Sequence, residues 1–353
     1  MVNLLSAFFH QADLALAAAE YLNWTTYSAN EVNLGGWLEQ ESTIDTTWWA
    51  EYSKGADDEW SLCVHQGSQC GPVLERRYAT YITTSDIDNV VYAGVNLLRI
   101  PTTYASWVKV PGSQLYSRDQ VSFLNNIETY AILKHSMHVI IDVHSLPSGV
   151  NGMAIGEATG HYGWFNNQTA LNYSLQAIDS VTTYIQNSNH PESFTISPID
   201  EPVDNTDLSA FGSASWVLKY IQAVLDRVGK VNPNIPVMFQ GSFRGEEYWS
   251  SKFSPSANLV FDVHNYYFAG RGATGQNITT YICADAEDGA EEALNTGLYA
   301  FAKYSQGSAY YTAAKFSGNA TVDGQGTQAD YWNYMTWINN DMIHPDKASE
   351  MCA

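Results

Sequence analysis

Seven short apolar runs, each breaking off into polar or acidic residues and separated by longer amphipathic stretches, constrain this chain more than any other feature. They lie at 32–38 (VNLGGWL), 95–100 (VNLLRI), 139–143 (VIIDV), 194–199 (FTISPI), 236–240 (PVMFQ), 259–263 (LVFDV) and 308–312 (SAYYT). Stretches such as DQVSFLNNIETYAILKHS and ASWVLKYIQAVLDRVGKV lie between them, with apolar residues at helical spacing. A strand covered on both faces reads as a continuous apolar run, and strands alternating with helices imply a parallel sheet. Arg99, His144, Glu201 and His264 cluster at the ends of these runs. In a closed parallel barrel those strand ends form the active face. The expected fold class is therefore α/β, a (β/α)8 TIM-barrel-like domain. Such a barrel needs eight strands, and the shortfall lies between 263 and 308. There AEDGAEEALNTGLYAFAKYSQ reads as one helix, and TTYIC (279–283) is the only short strand candidate. The seventh strand is expected to be lost or degenerate.

At 353 residues, with no internal repeat or Pro-rich linker, the chain reads as a single barrel domain over 1–353, with 1–29 as an N-terminal helical extension. The first 22 residues lack a basic leader region, and polar residues interrupt their apolar run, so no clear signal peptide is read there. A formal net charge of −21, from 37 acids against 16 bases, repels phosphate backbones and anionic membranes. The expected partners thus exclude nucleic acid and membrane. Charged residues make up 15% and aromatics 13%, which suits stacking on neutral rings. Cys63 and Cys70 close a short polar loop that suits a local disulfide, and no Cys/His spacing suggests zinc, so no metal and no cofactor are expected. Five Asn-X-Ser/Thr sequons, at Asn23, Asn167, Asn172, Asn277 and Asn319, join the even cysteine count in favouring an extracellular, secreted protein.

Glu201, in SPIDEPVDN, is placed as a general acid/base at a strand end, against the plainer reading of a surface acid before a loop. His144 and His264 both end Asp-Val-His runs and are site candidates. Asp142 and Asp262, two residues earlier, are expected to bind backbone or Arg groups inside the barrel. Arg99 follows an apolar run, and a buried Arg there needs a carboxylate partner. Trp37, Trp164, Tyr266 and Tyr311 are either core or platforms under a sugar ring.

The segments NLGGWLEQE, LRIPTTY, IIDVHSLPSGVNG, DEP, FDVHNYY and GSAYYTAAKFSG resemble the strand-end motifs of family 5 glycoside hydrolases, in the group of fungal exo-β-1,3-glucanases. The similarity runs from about residue 32 to 337. It implies a (β/α)8 barrel that hydrolyses β-1,3-glucan or its oligosaccharides with retention of configuration. It also implies Glu201 as acid/base, Arg99 as the strand arginine near the carboxylates, and Glu41, His144 and Asn151 as the lining of the glycone pocket. His264 and Tyr266 become the His-x-Tyr pair beside the nucleophile. Three departures stand out. The family carries Asn-Glu-Pro where this chain has Asp200-Glu201-Pro202, and an ionised Asp accepts but does not donate to a sugar hydroxyl. Tyr311 stands where a platform Trp is typical. The family's nucleophile, a Glu in a Gly-Glu-Trp-like context on the seventh strand, has no counterpart. A retaining enzyme needs a second carboxyl about 5–5.5 Å from the first. Asp285 is the best substitute if TTYIC is a strand; Glu287, Glu291 and Glu292 read as a solvated helix face, and Glu246 and Glu247 as loop acids. An inverting variant would need Asp200 to face the pocket, whereas adjacent strand residues face opposite ways. The functional expectation is a glucan-acting hydrolase; the alternatives are a non-hydrolytic glucan-binding relative and a barrel adapted to other small-molecule chemistry. Oligomeric state is left open.

Overall fold

The computed structural model describes residues 20–155, 157–264, 307–310, 315–318, 321–322, 326–327, 329 and 332–344. Seven strands form one sheet: β1 (Ala29–Asn33), β2 (Leu97–Thr103), β3 (His138–Ser145), β4 (Phe194–Ser197), β5 (Val237–Gln240), β6 (Leu259–Asp262) and β7 (Gly307–Tyr310). Every pairing is parallel, in the order β6-β5-β4-β3-β2-β1-β7. The helices are α1 (Thr46–Tyr52), α2 (Glu59–Gln66), α3 (Cys70–Thr80), α4 (Thr84–Tyr92), α5 (Gln120–His135), α6 (Gln168–Asn187), α7 (Ala214–Val231), α8 (Gly245–Ser250) and α9 (Tyr334–Asn339). A parallel sheet with helices returning between its strands is the TIM-barrel-like (β/α)8 arrangement expected. The expected gap in the strand count, with TTYIC and Asp285, falls between β6 and β7, at 265–306, outside the described residues.

The register sorts each strand into two faces. Asn33, Arg99, Ile140 and Thr195 are successive partners across β1 to β4, and Pro101, Asp142 and Ser197 form the next row up. The alternate residues, among them Val32, Leu98, Ile100, Val139, Ile141, Phe194, Ile196, Val237 and Phe239, belong to the main core, under the helices. In α5 that face is Leu124, Ile127, Ala131 and Ile132, and in α7 it is Val217, Tyr220, Ile221, Val224 and Val228, both at the expected three- and four-residue spacing. The inner face carries only a small apolar cluster of Leu97, Ile140 and Met238, with Trp24, Ala29 and Val260 packed against it. Trp24 closes that end, donating from Nε1 to Thr195 Oγ1 at 3.1 Å. Residues 20–28 are irregular apart from a turn, and 1–19 lie outside the described residues.

Helix ends follow their sequence signals. Asp58 with Ser61, and Thr83 with Asp86, form reciprocal capping boxes on α2 and α4. Ser136 ends α5 in the left-handed conformation. Cys63 and Cys70 are disulfide-linked between α2 and α3, with 4.9 Å between their Cα atoms, as their spacing suggested; Cys283 and Cys352 lie outside the described residues. Trp37 and Trp164 are not sugar platforms. Both are fully buried in the outer core, where Trp37 Nε1 donates to Tyr78 O and Trp164 Nε1 to Ser174 Oγ. Among the described residues no helix is long and apolar enough to cross a membrane.

Candidate active site

Above the small inner cluster the barrel interior turns ionic. Arg99 points inward from the middle of β2 and is 3% exposed, so its guanidinium must be answered inside the protein. Its three nitrogens take three carboxylates: Nε to Asp142 Oδ2 at 3.0 Å, Nη1 to Asp262 Oδ2 at 2.8 Å and Nη2 to Asp200 Oδ1 at 2.9 Å. A planar five-donor fork suits this arrangement, and a single ammonium does not. The expected roles of Asp142 and Asp262 as partners of an interior arginine thus hold in the geometry.

Two histidines extend the cluster. His144 Nδ1 lies 2.7 Å from Asp142 Oδ2, and its Nε2 is 3.5 Å from Asp200 Oδ2. His264 bridges Asp262 (Nε2 to Oδ2, 3.0 Å) and Glu201 (Nδ1 to Oε1, 2.8 Å). The chain therefore runs Asp142–His144–Asp200 on one side of Arg99 and Asp262–His264–Glu201 on the other.

Glu201 reaches this position through its backbone. β4 ends at Ser197, and Glu201 has φ +41, in the left-handed region that a side chain disfavours. The strand alternation expected to separate Asp200 from Glu201 no longer applies there, and both carboxyls enter the site. Holding such a conformation costs on the order of 1–2 kcal/mol, and strain of this kind collects where the surrounding structure has a use for it. Neighbouring loops brace the turn: Val203 N donates to Val150 O at 2.9 Å, tying the loop after β4 to the loop after β3. That second loop carries Asn151, buried, whose Oδ1 accepts from Met153 N at 3.0 Å. Hydrogen bonds between 148–152 and 160–164 fold it back on itself. Gly149 has φ +80 there, and a Cβ on it would fall 2.3 Å from His161 O, so only glycine fits.

Burial and charge set the protonation of this cluster. Burial pushes the Asp142 carboxyl up, but Arg99 and His144 outweigh it and hold the group at about 2. For Asp262, His264 and Arg99 likewise overcome burial and keep it well below the usual carboxylate range. His144 is raised to about 10, because Asp200 and Asp142 overcome the penalty of burying its cation; Asp262 and Glu201 do the same for His264. Asp200 is the exception among the aspartates: burial, with the repulsion of Glu201, lifts it to about 6 despite His144 and Arg99.

Two acids that the sequence did not single out belong to this interior. Glu31 on β1 is pushed up to about 8 by burial, against the pull of Arg99. Glu39 is fully buried and held well above the usual range by burial and by Glu41. Glu39, Glu41 and His144 bring ligand-type atoms within 4.8 Å of one another, with Glu41 on the more open side. His144 is already engaged by Asp142 in this cluster, and no metal or cofactor is assigned to it. Of the sequence candidates, the structure gathers Arg99, His144, Asp200, Glu201 and His264 in one bonded group, with Glu41 near His144 and Asn151 buried on the loop after β3. Tyr266 and Tyr311 lie outside the described residues, as do Glu287, Glu291 and Glu292. Glu247 is exposed on the short helix α8 rather than in a loop.

Comparison with known proteins places this geometry. Residues 64–345 match the sequence model of Cellulase (glycosyl hydrolase family 5). A "Probable glucan 1,3-beta-glucosidase A" of Aspergillus niger is 27% identical over 75% of this chain and 62% of its own length. The glucan 1,3-beta-glucosidase 1 of Schizosaccharomyces pombe is 29% identical over 74% of this chain and 66% of its own. The chain thus spans less than two thirds of either relative. Two solved structures agree far more closely. The crystal structure of AoRut superposes with TM-score 0.87 at 55% identity, covering 93% of this chain and all of that one. The rutinosidase from Aspergillus niger does so with TM-score 0.87 at 49% identity, covering 92% and 100%. The chain belongs to glycosyl hydrolase family 5.

Proposed function

We propose that this protein is a glycoside hydrolase acting on a β-linked rutinoside, with Glu201 as its acid/base. The observation that carries the reading is Glu201 itself: a buried carboxyl turned into the barrel by a left-handed backbone and fixed by His264 beside the Arg99 cluster. A general acid must reach the leaving oxygen from a fixed position, and rigid neighbours provide that. The substrate choice departs from the β-1,3-glucan expectation. It is supported by the 49% identity to a rutinosidase over nearly the whole chain, against 27–29% to the glucan glucosidases. Around the reacting bond, His144, Asn151 and Glu41 bind the glycone, and Asp200 keeps its place through Arg99. The Cys63–Cys70 disulfide supports an oxidising, secreted setting.

A retaining reaction also needs a carboxylate nucleophile. The described aspartates of the cluster, Asp142, Asp200 and Asp262, are each bound to Arg99 and are not assigned that role. A second reading, glycoside binding without turnover, draws on the lack of a Gly-Glu-Trp-like context anywhere in the sequence. Sugar release from rutin and from laminarin, measured for the wild type and Glu201→Gln, separates the two. Release from rutin that disappears in the variant supports hydrolysis. Binding without release supports the second reading, and full turnover by Glu201→Gln removes Glu201 from its role.

A further inference from the structure

We propose that Glu157 is a positioning residue for the glycone: its buried carboxyl holds the returning arm of the loop after β3 in place, and through that arm Asn151. The role rests on Asn151 lining the glycone pocket, as read above, and names the side chain that keeps it there. Asn151 stands between Gly149 and Gly152, and the arm grips both. Trp164 N donates to Gly149 O at 3.2 Å, Gly152 N to His161 O at 3.1 Å and Gly160 N to Gly152 O at 2.8 Å. The arm must therefore be seated for Asn151 to be in place. Two outer contacts fasten it to the start of α2. Thr159 N donates to Asp58 Oδ2 at 2.7 Å, and the His161 ring meets Trp60 edge-on, with 5.6 Å between centroids. Inward there is one anchor: of residues 157–163, only Glu157 is buried, at 3% exposure.

An apolar side chain would anchor the arm at any pH. An acid does so only while it is neutral, because a buried charge must be answered by partners. The surroundings of Glu157 answer one poorly. Asp58, at the start of α2, repels it, and the buried Glu59 of the same helix acts on Tyr104 beside it. From the turn after β2 comes the Tyr104 hydroxyl, already paired with Ser113 Oγ at 2.7 Å. From its own arm comes His161, whose Nδ1 is 3.4 Å from Oε1, a long contact for a hydrogen bond. Among the described residues His161 is the one ion-pairing partner of Glu157, and Oε2 has no hydrogen-bond partner. Burial, with the repulsion of Asp58, pushes this carboxyl up to about 8 against the Tyr104 hydroxyl and the Ser148 N–H. Below that pH the neutral acid stays seated. Above it the charge regains water by lifting the arm, so the open population grows about tenfold per pH unit.

Hydrogen exchange at the Gly160, Gly163 and Trp164 amides tests this, with the wild type set against Glu157→Gln and Glu157→Met from pH 6 to 9.5. Neither replacement can ionise, and both keep roughly the length of the side chain. The quantity read is the ratio of wild-type to variant protection at each pH, so an offset from the substitution itself cancels. That ratio should fall about tenfold per unit above pH 8. A ratio that stays constant with pH overturns the proposal, and either variant decides alone if the other does not fold. Glu157→Ala removes the anchor at every pH. It should raise KM for rutin severalfold at pH 5 while kcat stays within about twofold. A lower melting temperature with KM unchanged would mark a purely structural residue and overturn the role as well. Failure of the hydrolase reading shows itself elsewhere, in no release from rutin or in an active Glu201→Gln variant. The exchange ratio still decides whether Glu157 holds the arm in that case.

Discussion

Replacing Arg99 with methionine removes, among the described residues, the one cation that touches Asp142, Asp200 and Asp262 together. Breaking a buried ion pair from one side costs about 3–5 kcal/mol, because the surviving charge stays buried without its answer. Here the remaining histidines still face all three aspartates, which keeps the cost within that range rather than a multiple of it. At about 2.1 cal/mol/K per residue, a chain of 353 residues has an unfolding entropy of about 0.7 kcal/mol/K. The expected loss is therefore about 4–7 °C in melting temperature, read by calorimetry at pH 7. The pH dependence is the sharper test. Without Arg99, burial dominates at Asp142 and Asp262, and these groups take up protons at higher pH than in the wild type. Neutralising them relieves the uncompensated charge, so the deficit should shrink as the pH falls from 7 towards 4. Arg99→Lys keeps the charge but offers one nitrogen in place of the fork, and should lose about half as much. A deficit under 1 °C, or one that is flat between pH 4 and 7, would refute the account of Arg99 as the electrostatic centre of the site.

The other predictions concern stability and the glycone loop. Glu31, Glu59 and Glu157 are pushed by burial up to about 8. Their contribution is complete below the unfolded carboxyl value of about 4.3 and is lost as the pH rises through 8. His144, raised to about 10, also loses its contribution on the alkaline side, whereas Asp142, lowered to about 2, loses its own only as the pH falls from about 4 through 2. Melting temperature should therefore peak near pH 4–5 and decline steadily to pH 9; a maximum near pH 8 would contradict the burial of these acids. Gly149→Ala places a Cβ 2.3 Å from His161 O at φ +80, costing at least about 1–2 kcal/mol from the backbone alone. It should raise KM more than it lowers kcat, because it shifts the loop carrying Asn151; an unchanged KM would remove Asn151 from the glycone pocket.

How much of this was legible depends on what each residue faces. The runs at 95–100, 139–143, 194–199, 236–240 and 259–263 mark β2 to β6 because their outward residues pack against the outer core, buried in β2 to β5 and partly buried in β6, an environment that selects a continuous apolar run. The first strand was misplaced. β1 is Ala29–Asn33, and its inward residues Glu31 and Asn33 lie in the polar half of the barrel, so it has almost no apolar signature. The apolar run that follows, with Leu34, Trp37 and Leu38, is buried in the outer core beyond the strand; Leu34 N still donates to Arg99 O at 2.8 Å, and Leu38 bridges to Thr102. The same misplacement hid Glu31, an acid inside the unrecognised strand; Glu39 lies beyond it, in the irregular stretch after Leu38. Once β1 is paired with β2, Asn33 falls opposite Arg99 and Glu31 two residues below it on the same inner face.

The pairing of Asp200 with Glu201 was hidden for a different reason. Pattern reading assumes that neighbouring residues of a strand diverge, and that rule governs only where the strand persists. Here β4 stops at Ser197, and Tyr220 caps the departure by donating its hydroxyl to Pro198 O at 2.9 Å. The turn then bends far enough for Glu201 to take a left-handed backbone. Asp200 reaches back to Arg99 and His144, and Glu201 reaches across to His264. The sequence shows two acids before a proline; the fold ties one of them to Arg99 and His144 and the other to His264. An ionised aspartate at 200 is thus a poor hydrogen-bond donor for a sugar, and its oxygens are committed to Arg99 and His144. The consequence of Asp200 should therefore be sought in how the ionic cluster around Arg99 is held together, more than in the hydroxyls it recognises.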